Sequence, residues 1–367
     1  MNVRGGVAPV LIIALATFAP SYARASCPLT EGHGVASDKV RALADEINAA
    51  GLDSFAKNKK TRDSGLSPLV SWYLNRFIGF NAAEIPLAEA SLWAQLTSGG
   101  TPIAFSSGVW ADRIGSKYDT ETASWVGKYL CAPTTWRTWN PTPTSIAPLK
   151  PLMTAWLHGH SINGALSTDY GFWNDYVFNA LAVLSIHASF SSQLLPYELL
   201  SVPYYDHDGV HAFRLDANDG FSLYILWGST DVLTRLRAEL NLKLWEEITD
   251  GFHVAQLLVD GLDLSREYSV EVHADPGDVF GAAVSSNATA RHAISQDVYV
   301  AIDGEGIRVI VGGALHAVNE RMSPNLEVQS GPIIMVPASQ QFSAVSPFIY
   351  VIEDRATGII LLLGIHA

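Results

Sequence analysis

The run Phe221-Ser222-Leu223-Tyr224-Ile225-Leu226-Trp227 constrains this chain more than any other stretch. A continuous apolar, aromatic-rich run of this length suits a strand covered on both faces, which requires further layers of structure around it. Phe348 to Ile352 and Ile359 to Leu363 are two more apolar strands, joined by a turn at Arg355-Ala356-Thr357-Gly358. Leu199 to Tyr205 and Val210 to Leu215 flank Asp206-His207-Asp208-Gly209, a hairpin signal because Asp-Gly accepts the positive φ angles of a tight turn. Val298, Val300 and Ile302 alternate with Tyr299, Ala301 and Asp303, the period of a strand.

The first half reads differently. Asp38 caps a predicted helix in which Val40, Leu43, Ala44 and Ile47 recur at helical spacing, and Gly51 is expected to end it. Leu66-Ser67-Pro68-Leu69 opens a second apolar segment, and Ala88 to Leu96 is helix-compatible. A later helix is predicted from Thr230 or Asp231, with Leu233, Leu236 and Leu240 on one side. Asn140-Pro141-Thr142-Pro143, with Pro148 and Pro151, reads as an exposed connection; it is short and lacks the Gly/Ser content of a flexible linker. Helices early and strands late indicate an α+β fold.

At 367 residues and 48% hydrophobic composition the chain has ample material for one large core. A net charge of −13 with no basic cluster disfavours nucleic acid as a partner; the short run Lys57, Lys59, Lys60 and Arg62 is explained by a solvated loop. Arg4, the apolar stretch Val7 to Phe18 and the small residues of Ala23-Arg24-Ala25 have the form of a signal peptide, residues 1–25. The apolar run is short for a bilayer span, so no membrane association is expected after cleavage. A secreted, extracellular chain of residues 26–367, folded as one domain, follows. Its two cysteines, Cys27 and Cys131, either form one disulfide or remain two unpaired thiols.

No Gly-x-Ser-x-Gly elbow, phosphate-binding loop or His-Glu-x-x-His motif occurs. Asp206-His207-Asp208 with His211 suits a hairpin as well as chelation, and no second ligand cluster supports a metal, so none is expected. No cofactor is expected, and the acidic balance disfavours a polyanion. Asn287-Ala288-Thr289 fits a glycosylation acceptor.

Phe342-Ser343-Ala344-Val345-Ser346-Pro347-Phe348-Ile349-Tyr350-Val351-Ile352 resembles the serpin signature, in which a Pro-Phe pair opens a buried strand, and the following hairpin resembles that family's closing hairpin. Val345 departs from the acid or amide usual there. Weaker similarities follow the family's order: Leu66-Ser67-Pro68-Leu69, Ser107-Gly108-Val109-Trp110-Ala111-Asp112, Trp156-Leu157 with Ser161 and Asn163-Gly164, Asn179-Ala180-Leu181, and Ile294 to Gly306. The resemblance covers residues 30 to 367 and implies the serpin fold: a large central mixed sheet, smaller sheets and an exposed reactive loop, about 304–341. It implies no catalytic residue. It implies instead a suicide-substrate inhibitor of serine proteases, whose cleaved loop inserts into the sheet as an extra strand, with a monomer expected.

The resemblance places the hinge at Gly304, Glu305, Gly306, Ile307, Val309 and Val311, continuing through Gly312-Gly313-Ala314. Inhibitory hinges usually carry small residues. Ile307, Val309 and Val311 are β-branched and are expected to overpack a slot shaped for smaller groups, at a cost of ~1–3 kcal/mol. This departure motivates the alternative of a non-inhibitory carrier or folding factor. Candidate reactive residues are Glu320, Arg321 and Met322. The family count favours the Glu320–Arg321 bond, although the span from Met322 to Gln341 is longer than usual. A bond after Arg321, the preferred reading, suits a trypsin-like enzyme, and one after Met322 an elastase- or chymotrypsin-like enzyme. Ser67, Asn179 and Gln296 align with a network that governs sheet opening, and Gln296 stands where histidine is common. His187 falls where the family has a buried tryptophan.

Overall fold

The computed structural model describes residues 37–57, 64–77, 89, 92, 103–112, 120–130, 132–137, 149–160, 178–190, 194–195, 198–260, 262–272, 290–319, 341–343 and 346–366. The signal segment, Cys27, Cys131, Asn287, Glu320, Arg321, Met322 and Val345 lie outside the described residues.

Two sheets carry the fold. The first has eight strands: β1 (Ser64–Leu66), β14 (Ile359–His366), β13 (Phe348–Asp354), β7 (Phe221–Trp227), β6 (Val210–Asp216), β5 (Glu198–His207), β8 (His253–Asp260) and β12 (Gln341–Ser343), in that spatial order. All of its pairings are antiparallel except β8 with β12. The apolar runs form its centre: β7 and β14 are buried at every residue, and β13 begins directly after Pro347. Asp208 and Gly209, with φ of 50° and 76°, make the tight β5–β6 turn.

The second sheet has six strands in the order β3 (Thr134–Arg137), β2 (Ile103–Asp112), β4 (Phe178–Ser189), β11 (Gly306–Asn319), β10 (Ala290–Ile302) and β9 (Leu264–Val272). It is antiparallel except for β2 with β3.

Six helices can be described: α1 (Ser37–Lys57), α2 (Pro68–Asn75), α3 (Thr120–Tyr129), α4 (Leu149–Gly159), α5 (Thr230–Glu239) and α6 (Leu242–Asp250). Helix α2 packs against β4 and β11 on one side and β14 on another, which is why every residue from Pro68 to Leu74 is buried. Ser229 caps α5, with its side chain accepting from the Val232 N–H.

Helix α1 corrects the expectation that Gly51 ends it, for it continues to Lys57. Gly51 serves close packing instead. A Cβ there would lie 2.4 Å from both Cβ and Cγ of Pro68, so its absence lets α1 meet the start of α2.

Candidate functional site in the central sheet

The reactive-loop hinge is the main departure from the expected picture. Residues 306–319 do not stand outside the sheet as a loop: they form β11, inserted between β4 and β10. The β10–β11 ladder runs from Ile302↔Ile307 to Ala290↔Asn319, and the β4–β11 ladder from Ser189↔Gly306 to Asn179↔His316. Central placement gives the strand hydrogen-bonding neighbours on both edges.

The turn that makes this hairpin is built by Asp303-Gly304-Glu305. The Asp303 Oδ1 accepts from the N–H groups of Glu305 (2.8 Å) and Gly306 (3.1 Å), and Asp303 N–H donates to the Gly306 carbonyl. Neighbouring backbone ties it down: Phe190 N–H donates to Glu305 O and Leu194 N–H to Gly304 O. Gly306 is needed here, because a Cβ would stand 2.1 Å from the Ala188 carbonyl oxygen.

Alternation divides β11 into two faces. Ile307, Val309, Val311 and Leu315 point into the main core, each at most 1% exposed. The β-branched side chains expected to overpack the slot are thus buried within the sheet's core face. Relief is concentrated at Gly313, where a Cβ would lie 2.4 Å from Val70 Cγ1 and 2.9 Å from Leu74 Cδ1. On the other face Ala314 joins a smaller cluster with Trp110, Leu181 and Val183 of the sheet and Met153, Trp156 and Leu157 of α4. Trp110 and Trp156 meet edge-to-face at 5.6 Å. Helix α4 thus lies across the outer surface of the inserted strand.

Beneath β10 and β11, α2 presents a stripe at positions i, i+3, i+4 and i+7. Val70 and Leu74 meet Gly313, while Ser67 and Ser71 meet Gln296, whose register partner on β11 is Gly313. Gln296 is wholly buried, and its amide is satisfied by the helix start. Its Oε1 accepts from the Ser67 N–H at 2.8 Å, and its Nε2 donates to the Ser67 carbonyl (3.1 Å) and to Ser71 Oγ (2.7 Å). Ser67 caps α2, accepting from the Val70 N–H, and Ser71 Oγ donates to Ser67 O. The structure therefore brings Ser67 and Gln296 together. Asn179 pairs with Trp110 and His316, and β11 stands between its strand and that of Gln296.

Sequence reasoning missed Ser71 and Asp303. The signal for Ser71 was its place one turn after Ser67 in an apolar helix; that for Asp303 was the Asp-Gly-Glu-Gly spacing of a turn. His187 is exposed on β4 opposite Arg308, unlike the tryptophan it was aligned with. At the β5–β6 hairpin, His211 Nδ1 lies 2.8 Å from Tyr204 Oη and 3.5 Å from Asp206 Oδ1, and its ring stacks on Trp227. Among the described residues no group of three His, Cys, Asp or Glu side chains could hold a metal ion.

This architecture has close counterparts among solved structures. It is similar to a cleaved, loop-inserted ovalbumin mutant (10% identity, TM-score 0.66, covering 88% of this chain and 98% of that one). It is also similar to a thermophilic serpin, tengpin, in the latent state (9%, 0.64, 92% and 99%). A third is human thyroxine-binding globulin complexed with its ligand (9%, 0.63, 89% and 98%). The chain has the serpin fold. No family model matches the sequence, and no curated protein sequence matches it. At such low identity the likeness carries the fold and leaves the activity to the residues.

Proposed function

We propose that this protein is a secreted serpin-type inhibitor of serine proteases, acting as a suicide substrate through cleavage of the 304–341 loop and insertion of its first part. The observation that carries this reading is the fit of β11: its inward residues Ile307, Val309, Val311 and Leu315 are buried to 1% exposure or less, and Gly313 is empty where α2 crosses. A sheet that seats its own loop this completely has a large free-energy difference between loop-out and loop-in forms. Cleavage can use that difference to displace and distort an acylated protease, with no catalytic residue in the inhibitor itself. Arg321 is the preferred reactive residue, with Glu320 and Met322 as alternates, and a trypsin-like enzyme is the preferred partner.

The test is incubation of the mature chain with trypsin-, chymotrypsin-, elastase- and subtilisin-like proteases, followed by a denaturing gel and sequencing of the cut loop. A covalent complex is expected, with the cut after Arg321. Clean cleavage by all four without a complex overturns the inhibitory reading.

A non-inhibitory role is the second reading. It is favoured by the β-branched hinge, since large residues enter a closing sheet slowly, and thyroxine-binding globulin shares the fold. Cleavage without trapping is its expected signature.

A further inference from the structure

The β5–β8 pair keeps one face in the core and turns the other outward. Val202 of β5 and Leu257 and Val259 of β8 are buried on the inner face, with Leu200 and Ala255 packed beside them. Outward positions of an antiparallel pair with one wet face are ordinarily polar, and the cross-strand pair Ser201↔Gln256 follows that rule. Its neighbours on the same face do not. Leu199 is 62% exposed and Val254 76% exposed, and each stands opposite a further apolar residue, Leu258 and Pro203 respectively. Leu195 is 57% exposed. Among the described residues, these three are the exposed large hydrophobic side chains.

Their backbone is held in place. Leu194 packs on the main core and its N–H donates to the Gly304 carbonyl at 2.8 Å, while the Leu195 N–H donates to Glu198 Oε2 at 2.9 Å. Leu199 and Val254 sit on paired strands, about 13 Å apart along the ribbon. The 304–341 segment leaves the body at Gly304, bonded to Leu194, and rejoins it at Gln341, whose register partner Leu258 is itself opposite Leu199. Gln341 is thus two strand spacings, roughly 10 Å, from Leu199. Both anchor residues lie outside β11. Apolar surface therefore flanks both ends of the segment that a protease must grip.

The size of this face selects its occupant. The three exposed side chains, with Pro203 and Leu258 half-buried beside them, present on the order of 400 Å², the range of functional patches on monomers. A stable pair of chains needs about 800 Å² from each partner. The face is too small to hold a second copy by itself. It suits a partner already tethered by a neighbouring contact, for which the local concentration is high.

We propose that Leu195, Leu199 and Val254 form an auxiliary docking face for the serine protease that attacks the 304–341 segment, meeting apolar side chains on the rim of its active-site cleft. This deepens the inhibitory reading above and rests on it for the identity of the partner. The face acts on the encounter: it lengthens the stay of the protease on the intact chain and takes no part in the acylation chemistry.

The test uses the full mature chain and the four proteases named above, each in its active form and with its catalytic serine replaced by alanine. Surface plasmon resonance with the inactive forms reads the encounter without cleavage. The double variant Leu199→Ser/Val254→Ser is expected to bind the inactive trypsin-like protease about tenfold more weakly, with most of the change in the off-rate, and to keep its melting temperature within about 2 °C of the wild type. With the active protease, the concentration for half-maximal attack on the loop should rise by the same factor while the limiting rate is unchanged. Leu199→Met/Val254→Ile keeps the apolar face and should bind as the wild type does. Leu195→Ser, outside both strands, is expected to weaken binding about threefold and supplies the test if the double variant fails to fold. Equal affinity of the wild type and the serine-substituted chains for all four proteases overturns the proposal, as does the absence of binding to any of them. A fall in limiting rate at unchanged half-saturation overturns it too. So does a wild type that sediments as a dimer broken by the same substitutions, since the face would then belong to a second copy. The two readings separate cleanly. If inhibition fails, the active protease cuts without a covalent complex while the affinity difference remains; if the docking face fails, both chains trap the protease with the same concentration dependence.

Discussion

At Gly313 the inserted strand and α2 approach so closely that a single methyl group would overlap Val70 and Leu74. Gly313→Val is expected to cost ~1–3 kcal/mol of stability in the inserted form, because the clash falls on a packed helix. Amide exchange of β11 and the denaturant midpoint should both report the loss, and Val70→Ala should recover part of it. Unchanged protection in the single variant would mean that the strand does not pass over α2 as described. Gln296 is the polar counterpart. Replacing it with leucine removes three buried hydrogen bonds and leaves the Ser67 N–H without the acceptor it has across the sheet. A cost of about 2–4 kcal/mol is expected, measurable by urea unfolding; a change below about 0.5 kcal/mol would assign these groups to water instead.

Strands β7 and β13 pair at the centre of the eight-stranded sheet, and there Tyr224 on β7 donates to Glu353 on β13 at 3.4 Å. Burial pushes the Glu353 carboxyl up to about 7, against the partial counteraction of Arg41, the Tyr224 hydrogen bond and Arg214. The unfolded chain has an ordinary carboxyl near 4.5, so between that pH and 7 the folded state holds a proton that the unfolded state has lost. Stability from this group is fully present below about pH 4.5 and declines as pH rises through about 7, by up to about 3 kcal/mol. Glu353→Gln should flatten that dependence and stabilise the protein at pH 8, and parallel melting curves at pH 5 and pH 8 would refute it. These strands were legible in the sequence because both-face burial leaves a continuous apolar run, as in β7 and β14. The hairpin at Asp208-Gly209 was legible because its turn demands particular residues. Helix α1 was harder: Gly51 looks like a stop signal locally, and only its contact with Pro68, far along the chain, shows its purpose. The hinge was harder still. Ile307, Val309 and Val311 announce a strand in any reading, but which strands flank them is a long-range choice that local propensity does not encode.

The whole molecule turns on that choice, since one segment either stands outside the central sheet or fills it. Filled, the β4–β11–β10 ladder is continuous, and α2 and α4 close its two faces. A synthetic peptide with the sequence of residues 306–319 competes for the same position, because it carries the same alternation and the same Gly313 gap. The uncut wild-type chain should exclude this peptide, as its slot is occupied by the tethered copy, which enjoys a high effective concentration. Fluorescence anisotropy of a labelled peptide, followed by native gel, measures the uptake. A scrambled peptide of the same composition controls for adhesion to exposed sheet edges. Stoichiometric binding to the wild type would place β11 outside the sheet for most of the chain's lifetime. Exclusion of the matching peptide is the outcome expected of a central sheet whose slot β11 already fills between β4 and β10.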